Sequence, residues 1–353
     1  MRIVIAGGGT GGHISPAIAV AQALQRMDPH TDIQFISTPR PVDRIMYDSF
    51  GDRVHVQDPP RLDTGVVDKL LFLPRGLAEL IRCRRLLRKL DPAALFATGG
   101  YSSFFPILAA RSLGIPSAIH DSNSVPGRSN RLAARFAGTV LTGFRGAVKY
   151  FRSKARYTGN PVRSSLEPMP RARAREALGI PSGVPVVLFL GGSQGARALN
   201  DAAFKAPEGI FVLLQHGETD SERLKPLLSD REDIRGFAFV ADPSVLYSAA
   251  DIAVARAGAM TTAELTWFRL PAVYVPYPYA ADDHQRLNAR EMRDGGGAEM
   301  VLQGSISDLW STVAALASDD GKLEKMKKSL KKMMPDNPAA EIAGIVRRLA
   351  EKE

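Results

Sequence analysis

The sequence has little cysteine, no long apolar run and no low-complexity tract, and each absence excludes a class of protein. Its single cysteine, Cys83, excludes an intramolecular disulfide framework and a cysteine-cluster metal site, and fits a reducing cytosol. No run of 18 apolar residues occurs, so no membrane-spanning helix is predicted. The first residues lead directly into an apolar run and a glycine loop, unlike a signal peptide. With 45% apolar and 24% charged residues over 353 positions, we expect a folded cytoplasmic protein of two domains.

The net charge of +9 is distributed unevenly along the chain. Residues 1–163 hold 23 Lys or Arg against 11 Asp or Glu, a net +12. Residues 164–353 hold 23 against 26, a net −3. This asymmetry predicts that the first half faces a polyanion, which could be nucleic acid, an anionic membrane or phosphorylated ligands.

Short apolar runs alternate with helix-length amphipathic stretches, a pattern that predicts parallel sheets covered by helices. A helix is predicted from about Pro16 to Met27, and another begins near Ala196. The predicted strands are Arg2–Ala6, Ile33–Ser37, Ala94–Ala97, Ser117–His120, Val184–Leu190, Ile210–Leu214, Ile252–Ala255 and Ala272–Val275. We therefore predict two doubly wound α/β domains, residues 1–160 and 184–335. Residues 161–183 would link them, and a C-terminal helix in 336–353 would return to the first domain.

The first glycine loop, residues 7–12, matches G-x-G-x-x-G directly after the first strand. Such a loop gives a tight turn and a helix N-terminus that attracts anions. A dinucleotide site also expects an acidic residue at the end of the second strand, where Ser37-Thr38-Pro39-Arg40 stands, while Asp32 lies at the strand's start. A dinucleotide cofactor is therefore disfavoured. His13 follows the loop at the edge of the sheet where ligands bind, and is a candidate catalytic residue.

The second glycine loop, Gly191–Gly195, matches G-x-S-x-G between a predicted strand and helix. One interpretation is a serine hydrolase with Ser193 as nucleophile and His216 or His284 as base. The other is that the two glycine loops, in equivalent places of two domains, serve one phosphorylated donor. The second interpretation is favoured because a hydrolase needs only one such elbow.

Two further polar segments suit recognition of a nucleotide and a sugar. Residues 255–264 form a third strand–loop–helix junction, in which Glu264 either caps the helix or accepts two ribose hydroxyls. Residues 276–289 form a polar loop entering a helix, where His284, Gln285 and Asn288 suit sugar hydroxyls or an aspartate simply caps the helix.

No metal or other cofactor is expected. The chain contains no D-x-D sequence, whereas transferases that hold a diphosphate through a divalent metal usually need close carboxylates. Helix termini and arginine would then meet the leaving-group charge, and Arg163 is the arginine best placed between the domains.

A basic, leucine-rich segment is the candidate membrane contact. Residues 69–89 hold seven basic residues against one acid, and residues 128–163 hold nine with none. An apolar patch rimmed by Lys and Arg is what an interfacial anchor requires. Few aromatics are available for base stacking, so a membrane is favoured over nucleic acid. The candidate residues are Leu70, Leu71, Phe72, Leu73, Arg75, Arg82, Arg84, Arg85, Arg88 and Lys89.

Taken together, these motifs resemble glycosyltransferase family 28, in particular its members that add N-acetylglucosamine during peptidoglycan synthesis. The resemblance covers nearly the whole chain. It is carried by residues 7–13, Thr98-Gly99-Gly100-Tyr101, residues 159–163, residues 191–197, Gly258-Ala259 with Glu264, and His284-Gln285 with Asn288-Ala289. It implies a GT-B fold, in which two Rossmann-like domains face a cleft.

The resemblance also implies roles for individual residues. Thr10, Gly11 and Gly12 would flank the donor sugar and diphosphate, with Asn123 near the sugar. Arg163 and Ser193 would contact the diphosphate, Val240 the uracil, and Gln285 the sugar hydroxyls. The nucleotide would be lined by Ala259, Met260, Thr261, Thr262, Ala263 and Glu264, with Glu264 on the ribose.

The implied reaction is an inverting transfer from UDP-N-acetylglucosamine to the C4 hydroxyl of the N-acetylmuramyl unit of lipid I, which gives lipid II and UDP. Another sugar-nucleotide enzyme of the same fold, a lipid glycosyltransferase or an epimerase, is the alternative. His13 is the predicted base, with Asp121 in reserve. The implied location is the cytoplasmic face of the inner membrane, with cell-wall synthesis proteins as partners.

Three positions depart from the family pattern. His120-Asp121-Ser122-Asn123 stands where His-Glu-Gln-Asn is usual, so the shorter aspartate replaces the family's glutamate. Ala257 replaces a common serine in the nucleotide loop. Residues 37–51 lack the family pattern and are assigned no role.

Overall fold

The structure, a computed structural model, describes residues 1–60, 66–151, 154–192 and 195–351, and gives the backbone alone for residues 66–72. The chain folds as two compact units. The first comprises Met1–Ser164 and Asp336–Glu353, and the second comprises Ser165–Pro335. Residues 165–183, which the sequence analysis assigned to a linker, thus lie in the second unit.

The first unit is built on a parallel sheet of seven strands in the order β3-β2-β1-β4-β5-β6-β7. Its central strands are continuous apolar runs because helices cover both faces of the sheet. The strands are β1 Arg2–Ala6, β2 Asp32–Ser37, β3 Val54–Val56, β4 Ala94–Ala97, β5 Ser117–Asp121, β6 Thr139–Thr142 and β7 Ala155–Tyr157.

Six α-helices accompany this sheet in the described part of the unit. They are α1 Gly11–Met27, α2 Pro41–Tyr47, α3 Val66–Leu90, α4 Phe104–Leu113, α5 Arg128–Ala133 and, from the end of the chain, α14 Pro338–Ala350. Helix α14 packs against α1, and its Ile342, Ala343 and Val346 are fully buried in the same apolar cluster as Ile14 and Ala17. Helices α3, α4 and α5 supply the cluster on the other face.

The second unit repeats the design on a parallel sheet of six strands in the order β10-β9-β8-β11-β12-β13. The strands are β8 Val186–Leu190, β9 Phe211–Gln215, β10 Ile234–Phe237, β11 Ile252–Ala255, β12 Ala272–Tyr274 and β13 Ala298–Met300. The helices are α6 Arg171–Ala177, α7 Arg197–Ala203, α8 Ser221–Ser229, α9 Ser244–Ala249, α10 Ala259–Trp267, α11 His284–Asp294, α12 Leu309–Ala317 and α13 Asp320–Met333.

The predicted fold class, two doubly wound α/β domains, is confirmed, and every predicted strand is present within two residues of its predicted ends. The predicted start of α1 at Pro16 is wrong. The helix begins five residues earlier, where the carbonyl of Thr10 accepts hydrogen bonds from the amides of His13 and Ile14. Glycine is unfavourable inside a helix and proline is common at its first position, which favoured a start at Pro16. In the structure Pro16 lies inside the helix instead.

Candidate active site

The first glycine loop joins β1 to α1 at the carboxyl edge of the first sheet, and its first three glycines, Gly7, Gly8 and Gly9, are packed too closely for side chains. A Cβ on Gly7 would lie 2.5 Å from Oγ1 of Thr98. Gly9 has a φ of +90°, and a Cβ there would lie 2.7 Å from the ring of Tyr101. The loop therefore needs glycine both for its backbone conformation and for the close approach of its neighbours.

Asp43, which the sequence analysis did not assign, lies directly beneath this loop. Both of its carboxylate oxygens accept from the amide of Gly9, at 2.9 and 3.0 Å. Its Oδ2 also accepts from the hydroxyl of Ser37 at 2.8 Å and from the amide and hydroxyl of Thr38 at 2.8 and 2.9 Å. The only available signal was an acid on the helix that follows the second strand, in a segment without the family pattern.

The two acids near the second strand do not fit a dinucleotide site. Asp32 lies at the start of β2 and pairs there with Arg2, with a 2.5 Å distance between Oδ2 and Nε, at the opposite edge of the sheet from the glycine loop. Asp43 is turned inward and bonds the protein's own loop. Neither carboxylate is therefore directed to a ribose beside the first glycine loop.

His13 is held as a neutral base. Its Nδ1 lies 3.0 Å from the carbonyl oxygen of Thr98, and because a carbonyl only accepts, Nδ1 carries the proton and Nε2 bears a lone pair. Burial lowers the pKa of His13, although the Thr98 hydrogen bond and the charge of Asp43 act in the opposite direction. The imidazole is thus neutral at neutral pH and can accept a proton at Nε2.

Asp121 supports the turn that packs against His13. At the end of β5 it is 1% exposed, and its Oδ1 accepts from the amide of Asn123 at 2.9 Å. Its Oδ2 accepts from Nδ2 of Asn130 at 2.5 Å, and Oδ1 of Asn130 accepts from the amide of Gly100 at 2.8 Å. Burial raises the pKa of Asp121 to about 6. Both oxygens thus bond the protein itself, which suits a supporting role better than that of the reserve base.

The other residues predicted for the first unit lie around the same edge of the sheet. Thr10 and Gly12 are exposed at the start of α1 and Gly11 is half-buried, with no acid in the helix's first turn. Asn123 and Arg163 are half-buried. His120 lies fully buried behind them, with Nε2 3.1 Å from the carbonyl oxygen of Gly159, and fixes the segment that leads to Arg163.

The second glycine loop packs against the backbone just after the end of β9. Gly195 has a φ of +75°, and a Cβ there would lie 2.1 Å from the carbonyl oxygen of His216. Ser193 lies outside the described residues. His216 is 5% exposed with Nδ1 3.0 Å from the carbonyl oxygen of Gly217, and Nδ1 of His284 lies 2.7 Å from that of Ala281. Each candidate hydrolase base thus has Nδ1 beside a neighbouring backbone carbonyl.

The predicted nucleotide loop opens α10. Residues 259–263, Ala259 to Ala263, form the first turns of the helix, which begins with neither a side-chain cap nor an acid. Glu264 is half-buried, and its Oε2 accepts from the hydroxyl of Tyr247 at 2.7 Å. Asn288, fully buried on α11, donates to the carbonyl of Ala257 at 3.0 Å. Tyr247 was missed because nothing in its spacing relates it to residue 264.

The polar loop before α11 is fixed by a half-buried arginine. Arg256 donates to the carbonyl of Val275 at 2.9 Å and to Oε1 of Gln303 at 2.5 Å, and burial lowers its pKa. Oε1 of Gln285 accepts from the amide of Tyr277 at 3.0 Å. Asp283 precedes α11 with a φ of +53° and makes no side-chain cap, so helix capping does not account for this segment.

Val240 lies in the loop after β10 and is half-buried. Its neighbour Phe239 is 60% exposed, which leaves an aromatic side chain beside the position predicted to contact uracil.

Helix α3 carries an apolar stripe on its exposed side. Leu73, Leu77 and Ile81 recur at every fourth residue and are 79%, 60% and 40% exposed. The opposite side is buried in the first unit and includes Glu79, whose pKa is raised by burial, and Leu87. Leu77 and Ile81 therefore do not belong to the core-facing side of α3.

The same helix carries basic residues. Five are exposed and Arg84 is half-buried; the exposed ones are Arg75, Arg82, Arg85, Arg88 and Lys89. Leu70, Leu71 and Phe72 belong to the stretch whose side chains lie outside the described residues. No helix in the described part of the chain is long and apolar enough to span a membrane.

The described residues contain no group of three or more His, Cys, Asp or Glu side chains that could hold a metal ion. The arrangement offers instead a neutral histidine base in the first unit and helix N-termini beside a half-buried carboxylate in the second.

Family models match both units. Residues 3–142 match the glycosyltransferase family 28 N-terminal domain, and residues 186–341 match the glycosyltransferase family 28 C-terminal domain.

Relatives extend the similarity to the full length. The chain is 35% identical over 376 residues to a protein of Desulforudis audaxviator named UDP-N-acetylglucosamine–N-acetylmuramyl-(pentapeptide) pyrophosphoryl-undecaprenol N-acetylglucosamine transferase, covering 100% of this chain and 99% of the relative. Among solved structures, it is similar to MurG of Acinetobacter baumannii, with a TM-score of 0.77, 27% identity, and coverage of 98% and 99%. A UDP-GlcNAc 2-epimerase of Neisseria meningitidis matches with a TM-score of 0.67 at 14% identity over 100% of both chains, which shows the GT-B fold alone.

Proposed function

The chain belongs to glycosyltransferase family 28, and on that premise we propose that it is a hexosyltransferase that moves N-acetylglucosamine from UDP-N-acetylglucosamine to lipid I. The observation that carries the proposal is the full-length 35% identity to a relative named for this transfer. In the reaction, the C4 hydroxyl of the N-acetylmuramyl unit attacks the anomeric carbon of the donor. The products are lipid II, with an inverted β-1,4 linkage, and UDP.

His13 is the base in this proposal. As the acceptor oxygen bonds to the anomeric carbon, its proton passes to Nε2, and the bond between that carbon and the diphosphate oxygen breaks. The tautomer fixed by the Thr98 carbonyl supports this role, because the lone pair is on Nε2 and the ring is neutral at neutral pH. The transfer is a single displacement and needs no covalent intermediate.

The second unit holds the donor in this proposal. The amides that open α10 and the Glu264 carboxylate, positioned by Tyr247, would bind the nucleotide and its ribose. Val240 would contact the uracil, and Gln285 and His284 the sugar hydroxyls. Arg163 and Ser193, with Thr10, Gly11 and Gly12, would meet the diphosphate charge, and Asn123 would lie near the sugar. No metal ion is assigned a role, because positive helix ends and arginine can stabilise departing UDP.

The proposed transfer is tested with radiolabelled UDP-N-acetylglucosamine and a lipid I analogue, with and without a chelator. We expect label in the lipid product at a rate that the chelator does not change. Label in diacylglycerol, or conversion of the sugar without an acceptor, would identify another lipid glycosyltransferase or an epimerase. Reaction of Ser193 with a fluorophosphonate probe would instead support the serine-hydrolase alternative.

We further propose that α3 contacts an anionic membrane surface at the cytoplasmic face. The exposed stripe of Leu73, Leu77 and Ile81 offers apolar area, and the surrounding basic residues offer charge. Each basic residue near an anionic surface contributes roughly 1 kcal/mol, so apolar and charged contacts act together. Leu70, Leu71 and Phe72 extend the proposed contact in sequence. Cell-wall synthesis proteins remain proposed partners.

Charge removal from α3 should weaken vesicle binding. We expect replacement of Arg82, Arg84, Arg85 and Arg88 by glutamine to lower affinity for vesicles containing phosphatidylglycerol by at least about tenfold, and more at low salt. The matched control replaces Lys325, Lys328, Lys331 and Lys332 of α13, which removes the same charge from the second unit. Equal losses in both variants would mean that net charge, not α3, drives the binding measured by vesicle sedimentation.

A further inference from the structure

Asp43 is a buried charged residue that the proposed reaction leaves without a role. It is 1% exposed, and every hydrogen bond that its side chain makes in the described structure is accepted from a donor of the chain. The donors are the amides of Gly9 and Thr38 and the hydroxyls of Ser37 and Thr38. This environment matches the acceptor-only carboxylate form, so a fixed negative charge lies under the first glycine loop.

The carbonyl and the Cα of Gly9 also contact neighbouring side chains. Its carbonyl accepts from Nη1 of Arg40 at 2.6 Å, and its Cα faces the ring of Tyr101. The guanidinium of Arg40 also lies 5.6 Å from the centre of that ring. The amide of Gly9, which a phosphate-binding glycine loop would direct to its ligand, is thus occupied by an internal carboxylate.

We propose that Asp43 is a positioning residue of the transfer reaction, whose carboxylate fixes the glycine loop and balances the positive charge that forms on His13. This inference rests on the proposed function, because His13 becomes positive only if it takes the acceptor's proton. When Nε2 receives that proton, Nδ1 keeps its own on the Thr98 carbonyl, and the ring becomes an imidazolium. No proton passes to Asp43, which acts through its charge and through the backbone that leads to His13.

The negative charge of Asp43 also acts on His13 electrostatically, although the two residues are far apart in sequence. The negative charge of Asp43 raises the pKa of His13, against the larger lowering effect of burial. His120, whose pKa burial lowers to about 4, couples to His13 but is neutral through the range of an activity assay. Asp121, with a pKa of about 6, is linked to His13 through Asn130 and Gly100. Its pKa is set by burial, by hydrogen bonds from Asn130 and from the amides of residues 123 and 127, and by the charge of Arg131, so we expect substitutions at residue 43 to leave it unchanged.

The test compares pH profiles of kcat/KM for wild type, Asp43→Asn and Asp43→Glu. We expect Asp43→Asn to lower kcat about 10- to 100-fold, with the KM for UDP-N-acetylglucosamine within twofold. The acid limb should move to lower pH, because removing the negative charge lowers the pKa of His13. Asp43→Glu keeps the charge and should restore the position of the limb.

The matched control is Asp48→Asn, an exposed carboxylate next to the end of the same helix, which should leave kcat and the limb unchanged. Should Asp43→Asn fail to fold, Thr38→Val removes one donor to Oδ2 and keeps the charge, so kcat should fall severalfold with the limb unmoved. Full kcat in Thr38→Val, or an unmoved limb in a folded Asp43→Asn, would overturn the inference. Absence of transfer by wild type would refute the proposed function instead.

Discussion

His13→Asn is expected to lower kcat for transfer to a lipid I analogue by about 10² to 10⁴, the range typical for loss of a general base. Asparagine can still donate to the carbonyl of Thr98, which His13 contacts at 3.0 Å, so the contact between residue 13 and Thr98 can be kept. What is lost is the lone pair of Nε2. Because His13 itself is assigned no contact with UDP in the proposed function, the affinity for UDP should stay within twofold.

The pH profile provides the sharper measurement. In wild type, kcat/KM should fall as the pH drops through the pKa of His13, which burial sets below the ordinary value of 6.5. In His13→Asn this limb should disappear, apart from any contribution of Asp121. His30→Asn, at an exposed histidine beyond the end of α1, is the control and should behave as wild type. Near-normal turnover of His13→Asn with unchanged UDP affinity would mean that another group is the base.

The central strands were predictable because burial on both faces leaves continuous apolar runs such as Val186–Leu190, which is fully buried. The sequence analysis missed five strands, each of three or four residues. Four of them, β3, β7, β10 and β13, are only partly buried and form the edges of the two sheets, and the fifth, β6, lies next to an edge. Their place in the sheet is decided by pairing with a neighbour, as for β7 against β6, and not by their own composition. Local pattern therefore predicts the centre of a parallel sheet better than its edges.

The residues of the candidate site also fall into those that local sequence predicts and those that it does not. Glycine loops and His13 are visible because their spacing relative to a strand is fixed by the chain itself. Asp43, Asn130 and Tyr247 act through contacts with residues 34, 30 and 17 positions away, which no local spacing encodes. The nearest indication of Asp43 in the sequence was an absence. No acid stands at the end of the second strand, where a dinucleotide site expects one. The structure instead places an acid six residues beyond that strand, facing inward.

Gly100→Ala should be nearly as damaging as loss of the base itself, although the substitution adds a single methyl group. Gly100 has a φ of +79°, and a Cβ there would lie 2.9 Å from both Nε2 and Cδ2 of His13. The ring cannot retreat without lengthening its hydrogen bond to the Thr98 carbonyl, so the lone pair would be displaced from the acceptor oxygen. A displacement of about 1 Å costs about 10² in rate, and we expect kcat to fall by that factor.

Gly114→Ala separates the clash from the backbone strain that accompanies it. Gly114 has a φ of +74°, close to that of Gly100, but a Cβ there would meet nothing within 4 Å. Gly114→Ala should lose about 1–2 kcal/mol of unfolding free energy because its φ of +74° and ψ of +8° are left-handed. Gly100→Ala should lose more, up to about 3 kcal/mol, because a φ of +79° with a ψ of −179° is a conformation that essentially only glycine adopts. Only Gly100→Ala should lose turnover, measured at a temperature where both variants are folded. If the two variants lost kcat equally, backbone strain rather than contact with Nε2 would be responsible. The close packing of Gly100 against His13 would then not position the base.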